Sequence, residues 1–245
     1  MSDRTVRLRR AMAGMGFAAL AGAALGAAGA RAAEQAPDRA ALESVIHDYI
    51  LAHPEIIPQA MERLRARETA DAIAANRVAI ETPFAGAWAG NPKGDVTLVM
   101  FTDYSCGYCR ASAPDIDRLL AEDPKLRVVW REIPVLGPQS EVAARLALAA
   151  AKQDRYPAFH RAVFAGGRAD DPHLAAAGRQ AGLDTGRATA DRGGADIQHE
   201  IDTNIALAQR LSVSGTPAFV IGDHMLSGAV GHDALAQAIA AARKS

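Results

Sequence analysis

Residues Val96-Thr97-Leu98-Val99-Met100-Phe101 make a continuous apolar run of strand length, and the chain's only two cysteines, Cys106 and Cys109, follow it almost at once. Bounded upstream by the turn Gly90-Asn91-Pro92-Lys93-Gly94-Asp95, the run reads as a buried strand. A helix is expected over residues 106–121, kinked at Pro114, leading into Leu126-Arg127-Val128-Val129-Trp130, a second short β-rich run. Strand, helix and strand in that order make a βαβ unit whose two strands run parallel.

Residues 140–211 then carry apolar side chains at helical spacing, divided by Gly166-Gly167, Gly182 and Gly193-Gly194. That is too much helix for a simple crossover, so a helical subdomain is expected to be inserted at about 138–211. The chain returns to β character at Ala218-Phe219-Val220-Ile221, turns at Gly222-Asp223 and continues through His224-Met225-Leu226-Ser227, an expected antiparallel hairpin. A last helix is expected over residues 232–242.

The cysteine pair suggests redox chemistry. A helix beginning at Cys106 directs its unpaired N–H groups and its dipole at that sulfur and favours a thiolate, while Cys109 lies one turn on, within bridging reach. One sulfur attacks and the other resolves. As a mere staple the pair would close too small a loop to remove much chain entropy. A structural zinc site needs further ligands that the sequence does not offer at a suitable spacing, and the seven histidines form no ligand pattern. Cu(I) held by the Cys106 and Cys109 thiolates stays open as an alternative metal-carrier reading.

The 245 residues, 49% hydrophobic and 22% charged, describe an ordinary globular chain, and a formal net charge of -1 gives no basic excess for nucleic acid. Residues 1–33 differ from the rest. Arg4, Arg7, Arg9 and Arg10 precede a stretch rich in alanine, glycine and leucine that ends in Ala30-Arg31-Ala32-Ala33, which reads as an export signal cleaved near residue 32 or 33. Glycine and alanine dilute the stretch too much for a membrane anchor. The Arg9-Arg10 pair leaves general or twin-arginine export open. Export matters because disulfides persist outside the cytosol, where a reactive pair can donate, reduce or reshuffle the bonds of other proteins.

Residues 34–81 read as a helical arm. Leu42, Val45, Ile46, Tyr49 and Ile50 recur at helical spacing up to the break at His53-Pro54, and a second helix with a thin apolar stripe is expected over 58–80. Two such helices cannot bury their apolar faces on each other alone. The arm serves either as a lid on the chain's own core or, the preferred reading, as an oligomerisation region.

The CxxC at a helix start after a buried strand, the helical insertion, and Gly215-Thr216-Pro217 before a strand resemble the DsbA-like branch of the thioredoxin superfamily, over roughly Phe84 to the C-terminus. The Gly90-Asn91-Pro92 turn, Phe101-Thr102-Asp103-Tyr104, Ile133-Pro134-Val135-Leu136-Gly137 and the arm are similar to ScsC-type proteins, named for suppression of copper sensitivity. The resemblance implies an α/β thioredoxin fold over residues 82–245 with the inserted helical subdomain, preceded by the arm. It implies a redox-active disulfide Cys106–Cys109 in place of any cofactor, and a cis-Pro217 packed against it, with Thr216 and Pro217 binding client segments as an added strand.

Gly107 and Tyr108 tune the redox poise. Cys-Gly-Tyr-Cys, and Thr216 before the proline, are similar to periplasmic disulfide isomerases of the DsbC type. The expected function is therefore an exported, periplasmic protein disulfide isomerase, kept reduced by a membrane thiol reductase and acting on secreted clients. A homo-oligomer is expected, a trimer favoured. A DsbA-type dithiol oxidase, a copper carrier and a chaperone-like oligomer are the alternatives. One departure stands out. Relatives carry a buried acid six positions before the first cysteine, where this chain has Met100; Asp103 or Glu132 is left to handle the proton.

Overall fold

The computed structural model describes residues 38–244. The expected export signal and residues 34–37 of the arm lie outside the described residues. The chain divides into two compact units, Met1–His53 and Pro54–Ser245.

Of the first unit only helix α1, Arg39–Ala52, is described. The Asp38 side chain accepts from the Ala40 N–H at its start, and Pro54 stops it by excluding helical geometry from His53. None of its residues is buried, and Leu42, Val45, Ile46 and Tyr49 are all exposed.

The second unit opens with helix α2, Ile56–Glu81. Ile57, Met61 and Leu64 in its first half are exposed, whereas Ile73 and Ile80 in its second half are fully buried. A three-residue strand β1, Trp88–Gly90, follows; it is too short to show a pattern in the sequence. Then come β2, Val96–Thr102, helix α3, Gly107–Glu122, and β3, Leu126–Glu132. The inserted subdomain consists of α4, Pro138–Ala151, α5, Tyr156–Gly166, α6, Asp171–Gln180, α7, Thr185–Asp191, and α8, Ala195–Arg210. The hairpin strands β4, Ala218–Ile221, and β5, His224–Ser227, and helix α9, His232–Ala242, complete it.

The sheet has the order β1-β3-β2-β4-β5. β2 and β3 run parallel and the β4–β5 pair is antiparallel, as the sequence suggested; β1 adds an antiparallel edge to β3. Alternate residues point to opposite faces, and both faces are covered. On one, Leu98, Met100, Val128, Trp130 and Phe219 pack with residues of α3, α4, α5 and α9. On the other, Val99, Phe101, Val129 and Val220 pack with Ile73 and Ile80 of α2 and with Leu207 of α8. Each such aliphatic or aromatic side chain contributes ~1.5–3 kcal/mol by leaving water.

A buried cation ties α2 to the second face. Arg131, 2% exposed, donates to the carbonyls of Ala79, Ile80 and Thr82 and to Glu200 and Asn204. The last carbonyls of a helix lack intrahelical donors and carry the negative end of its dipole, so a guanidinium there satisfies both needs.

Candidate functional site

Strand β2 ends at Thr102, and a four-residue connection, residues 103–106, leads to α3. The Asp103 carboxylate accepts from the N–H groups of Ser105 (2.8 Å), Val135 (2.9 Å) and Leu136 (3.1 Å). One buried carboxylate thus pins the cysteine lead-in to the segment after β3. The Asp103 carbonyl takes the Cys106 N–H at 3.1 Å, which places Cys106 at the N-cap of α3. The expected kink at Pro114 is not a break, for α3 is one continuous helix through it.

Both cysteines are free, buried thiols with different partners. Cys106, 6% exposed, directs its Sγ at the carbonyl oxygen of Thr216, 3.2 Å away. Cys109 has no exposed surface, and burial pushes its thiol up to about 12 against the opposing pull of the Asp103 backbone and the Thr102 hydroxyl. The Thr216–Pro217 peptide is cis, and Pro217 is buried. Cys106, Cys109, Thr216 and Pro217 are thus brought together. Gly107 and Tyr108 sit in the first turn of α3; Tyr108 is 70% exposed, and open space surrounds the position of a Cβ at Gly107.

Of the two acids, Asp103 is occupied by its three N–H groups. Glu132 stands in register with Thr102 across the β2–β3 ladder, on the sheet face that also holds Met100, and has no exposed surface. Burial pushes its carboxyl up to about 8, and the hydroxyl of Tyr156 donates to Oε1 while Oε2 has no partner among the described residues. Tyr104, fully buried beside it, shares a 3.0 Å hydrogen bond with Nδ1 of His160. Burial drives His160 down to about 3, so its imidazole is neutral. Tyr104 belongs to the lead-in quoted from the sequence, but no role is assigned to it there; Tyr156 and His160 lie in the insertion, and no local spacing links them to the cysteines.

Among the described residues no cluster of three or more His, Cys, Asp or Glu side chains could hold a metal ion, and no helix is long and apolar enough to cross a membrane.

Several known proteins share this architecture. A thioredoxin-like oxidoreductase from Silicibacter pomeroyi is 41% identical, covers 68% of this chain and 96% of its own, and superposes with a TM-score of 0.64. A linker-deletion mutant of Proteus mirabilis ScsC is 25% identical, covering 86% of this chain and 98% of its own with a TM-score of 0.68. The thiol-disulfide exchange protein alpha-DsbA2 of Wolbachia pipientis is 30% identical, covering 73% of this chain and 97% of its own with a TM-score of 0.67. The chain spans about a quarter of the length of the curated relatives it matches, such as Na(+)/H(+) antiporter NhaA 1 of Salinispora arenicola, 32% identical over 160 residues (62% of this chain, 24% of that protein). Residues 38–70 match the copper resistance protein ScsC N-terminal domain. With residues 97–240 matching its model, the chain belongs to the DSBA-like thioredoxin domain family.

Proposed function

We propose that this chain is an exported, periplasmic thiol–disulfide oxidoreductase acting on other exported proteins, chiefly as a disulfide isomerase. What carries this reading is the inequality of the two thiols: Cys106 keeps a little exposed surface and directs its sulfur at the Thr216 carbonyl, whereas Cys109 has no exposed surface and its thiol is pushed up by burial. The Cys106 thiolate attacks a client disulfide, forming a mixed disulfide and releasing one client sulfur as a thiolate. Two thiolates then compete for that bond. If Cys109 attacks Cys106, the client leaves reduced; if a client thiolate other than the one just released attacks the bound client sulfur, the client leaves with a new pairing and Cys106 is regenerated. A thiol held near 12 is seldom ionised, which slows the first route and favours the second.

Gly107 and Tyr108 tune the poise, Thr216 and Pro217 bind the client segment, and Glu132, in its ionised form and with one carboxyl oxygen unpartnered, takes the Cys109 proton in preference to Asp103, a step that gains as pH rises toward 8. The pair is kept reduced by a membrane thiol reductase. The exposed apolar residues of α1 and, separately, of the first half of α2 support a homo-oligomer, which would gather several thiols around one client. Light scattering that finds a monomer with and without residues 34–81 overturns the oligomer.

Reactivation of a scrambled, disulfide-mispaired client tests the whole reading: wild type should restore activity and Cys106→Ala should not. Equal rescue by both leaves only a chaperone. Tight stoichiometric Cu(I) binding without rescue favours the copper carrier that the match to a copper resistance protein domain keeps in view. Equilibration against a glutathione series separates the isomerase from a DsbA-type oxidase, which would show a markedly more oxidising pair.

A further inference from the structure

A cavity of about 240 Å³ opens beside the segment that leads into the cis proline. Its floor is aliphatic, formed by Ile133, Val135, Ile205, Ala208 and Val213, and its edge carries Gln209, Ser214 and Gly215. No charged side chain lines it. Two hydrogen bonds fix the walls: Val135 N–H to the Asp103 carboxylate at 2.9 Å, and Val213 N–H to the Ala208 carbonyl at 2.8 Å. The cavity is therefore held by the same carboxylate that positions the cysteine lead-in.

The backbone along its rim is open. The N–H groups of Ser214, Gly215 and Thr216 have no hydrogen-bond partner among the described residues, Ser214 and Gly215 are exposed, and a Cβ on Gly215 would meet nothing. Unpaired N–H groups in an exposed row favour an added extended segment. The Thr216 carbonyl lies 3.2 Å from Cys106 Sγ, so a client cysteine bonded to Cys106 sits beside Thr216. In an extended client, side chains two residues apart share a face and stand about 7 Å apart. The residue two positions from the client cysteine then lies over the cavity.

We infer that this cavity is a side-chain subsite that selects client segments carrying a bulky aliphatic residue two positions from the reacting cysteine. The inference rests on the thiol-exchange reading above and names the client class for that same site. A bulky aliphatic side chain reaches the floor and gains burial against Ile133, Val135, Ile205 and Val213, whereas a polar one finds partners only at the edge and loses hydration if it enters further.

The test uses the full reduced chain and short peptides whose single cysteine is disulfide-bonded to a chromogenic thiol, with leucine or asparagine two residues before or after it and glycine elsewhere. At one of the two positions the leucine peptide should react about tenfold faster than the asparagine peptide. Val135→Ser, which removes a wall, and Ser214→Trp, which fills the cavity from its exposed rim, should each bring that ratio close to one. A wild-type ratio near one at both positions overturns the subsite, as does a preference that survives both substitutions. Oxidised glutathione, run alongside, separates the two levels: failure to react with it as well overturns the thiol-exchange reading itself.

Discussion

The hydroxyl of Tyr156, on a helix of the insertion, donates to the carboxyl of Glu132, at the end of the strand paired with β2. This bond joins the inserted subdomain to the sheet at a point with no access to water, and it leaves one oxygen of the carboxyl free of any partner among the described residues.

Glu132 should make the protein less stable as pH rises. Its carboxyl ordinarily titrates near 4.5 but is held at about 8 in the folded state, so between those values the unfolded chain gives up a proton that the folded chain keeps. Stability then falls with pH by up to ~1.4 kcal/mol per unit across that window and levels off above it. Glu132→Gln, which still accepts from Tyr156, removes the slope. Urea unfolding at pH 5 and pH 8 checks this: the variant should gain on wild type at the higher pH, and parallel curves refute it.

His160 acts at the opposite end of the scale. Its ring, ordinarily titrating near 6.5, is pressed down to about 3 by burial, so the folded state resists a proton that the unfolded state accepts. Stability present above 6.5 is lost as pH falls toward 3, again by up to ~1.4 kcal/mol per unit. His160→Gln, which can still meet the Tyr104 hydroxyl, should flatten the acid limb of a stability profile measured by calorimetry.

The two thiols should be chemically separable. With iodoacetamide at neutral pH, the Cys109→Ser protein should be alkylated at Cys106 roughly a hundredfold faster than the Cys106→Ser protein is at Cys109, since the thiolate is the reacting form. Mass spectrometry reads the adducts. Cys109→Ser should also accumulate mixed disulfides with clients, and comparable alkylation of both variants would count against the proposed division of labour.

Removing the Arg131 guanidinium should be costly. Arg131→Met leaves three carbonyls at the end of α2 without a donor and leaves Glu200, 13% exposed, without its cation. Losing one partner of a buried pair costs about 3–5 kcal/mol. Adding Glu200→Leu should return part of that loss, which a double-mutant cycle in denaturant would register as non-additivity.

Much of this site was legible because its parts announce themselves locally. Apolar runs mark β2 and β4, the cysteine spacing marks the start of α3, and Thr216-Pro217 stands directly before a strand. The end of β3 was less so. The apolar run ends at Trp130, and nothing in the local pattern marks Arg131 as buried, while Glu132 is only one of two acids on offer for the proton. Both are buried, because the groups that satisfy them come from the end of α2 and from α5 and α8, far away in sequence. His160 carries no motif at all; only the folded insertion brings it to Tyr104.

Arg131 and Glu132 are neighbours on one strand facing opposite layers, a cation beneath helical carbonyls and an acid beneath a tyrosine hydroxyl. A slip of β3 by one residue would exchange them, setting a guanidinium into the tyrosine and histidine cluster and a carboxyl against the negative end of a helix. The aliphatic residues of β3 would tolerate much of that exchange, since valine suits either face. The two polar side chains would not, so they act together as a key that admits a single alignment of the strand supporting the thiols.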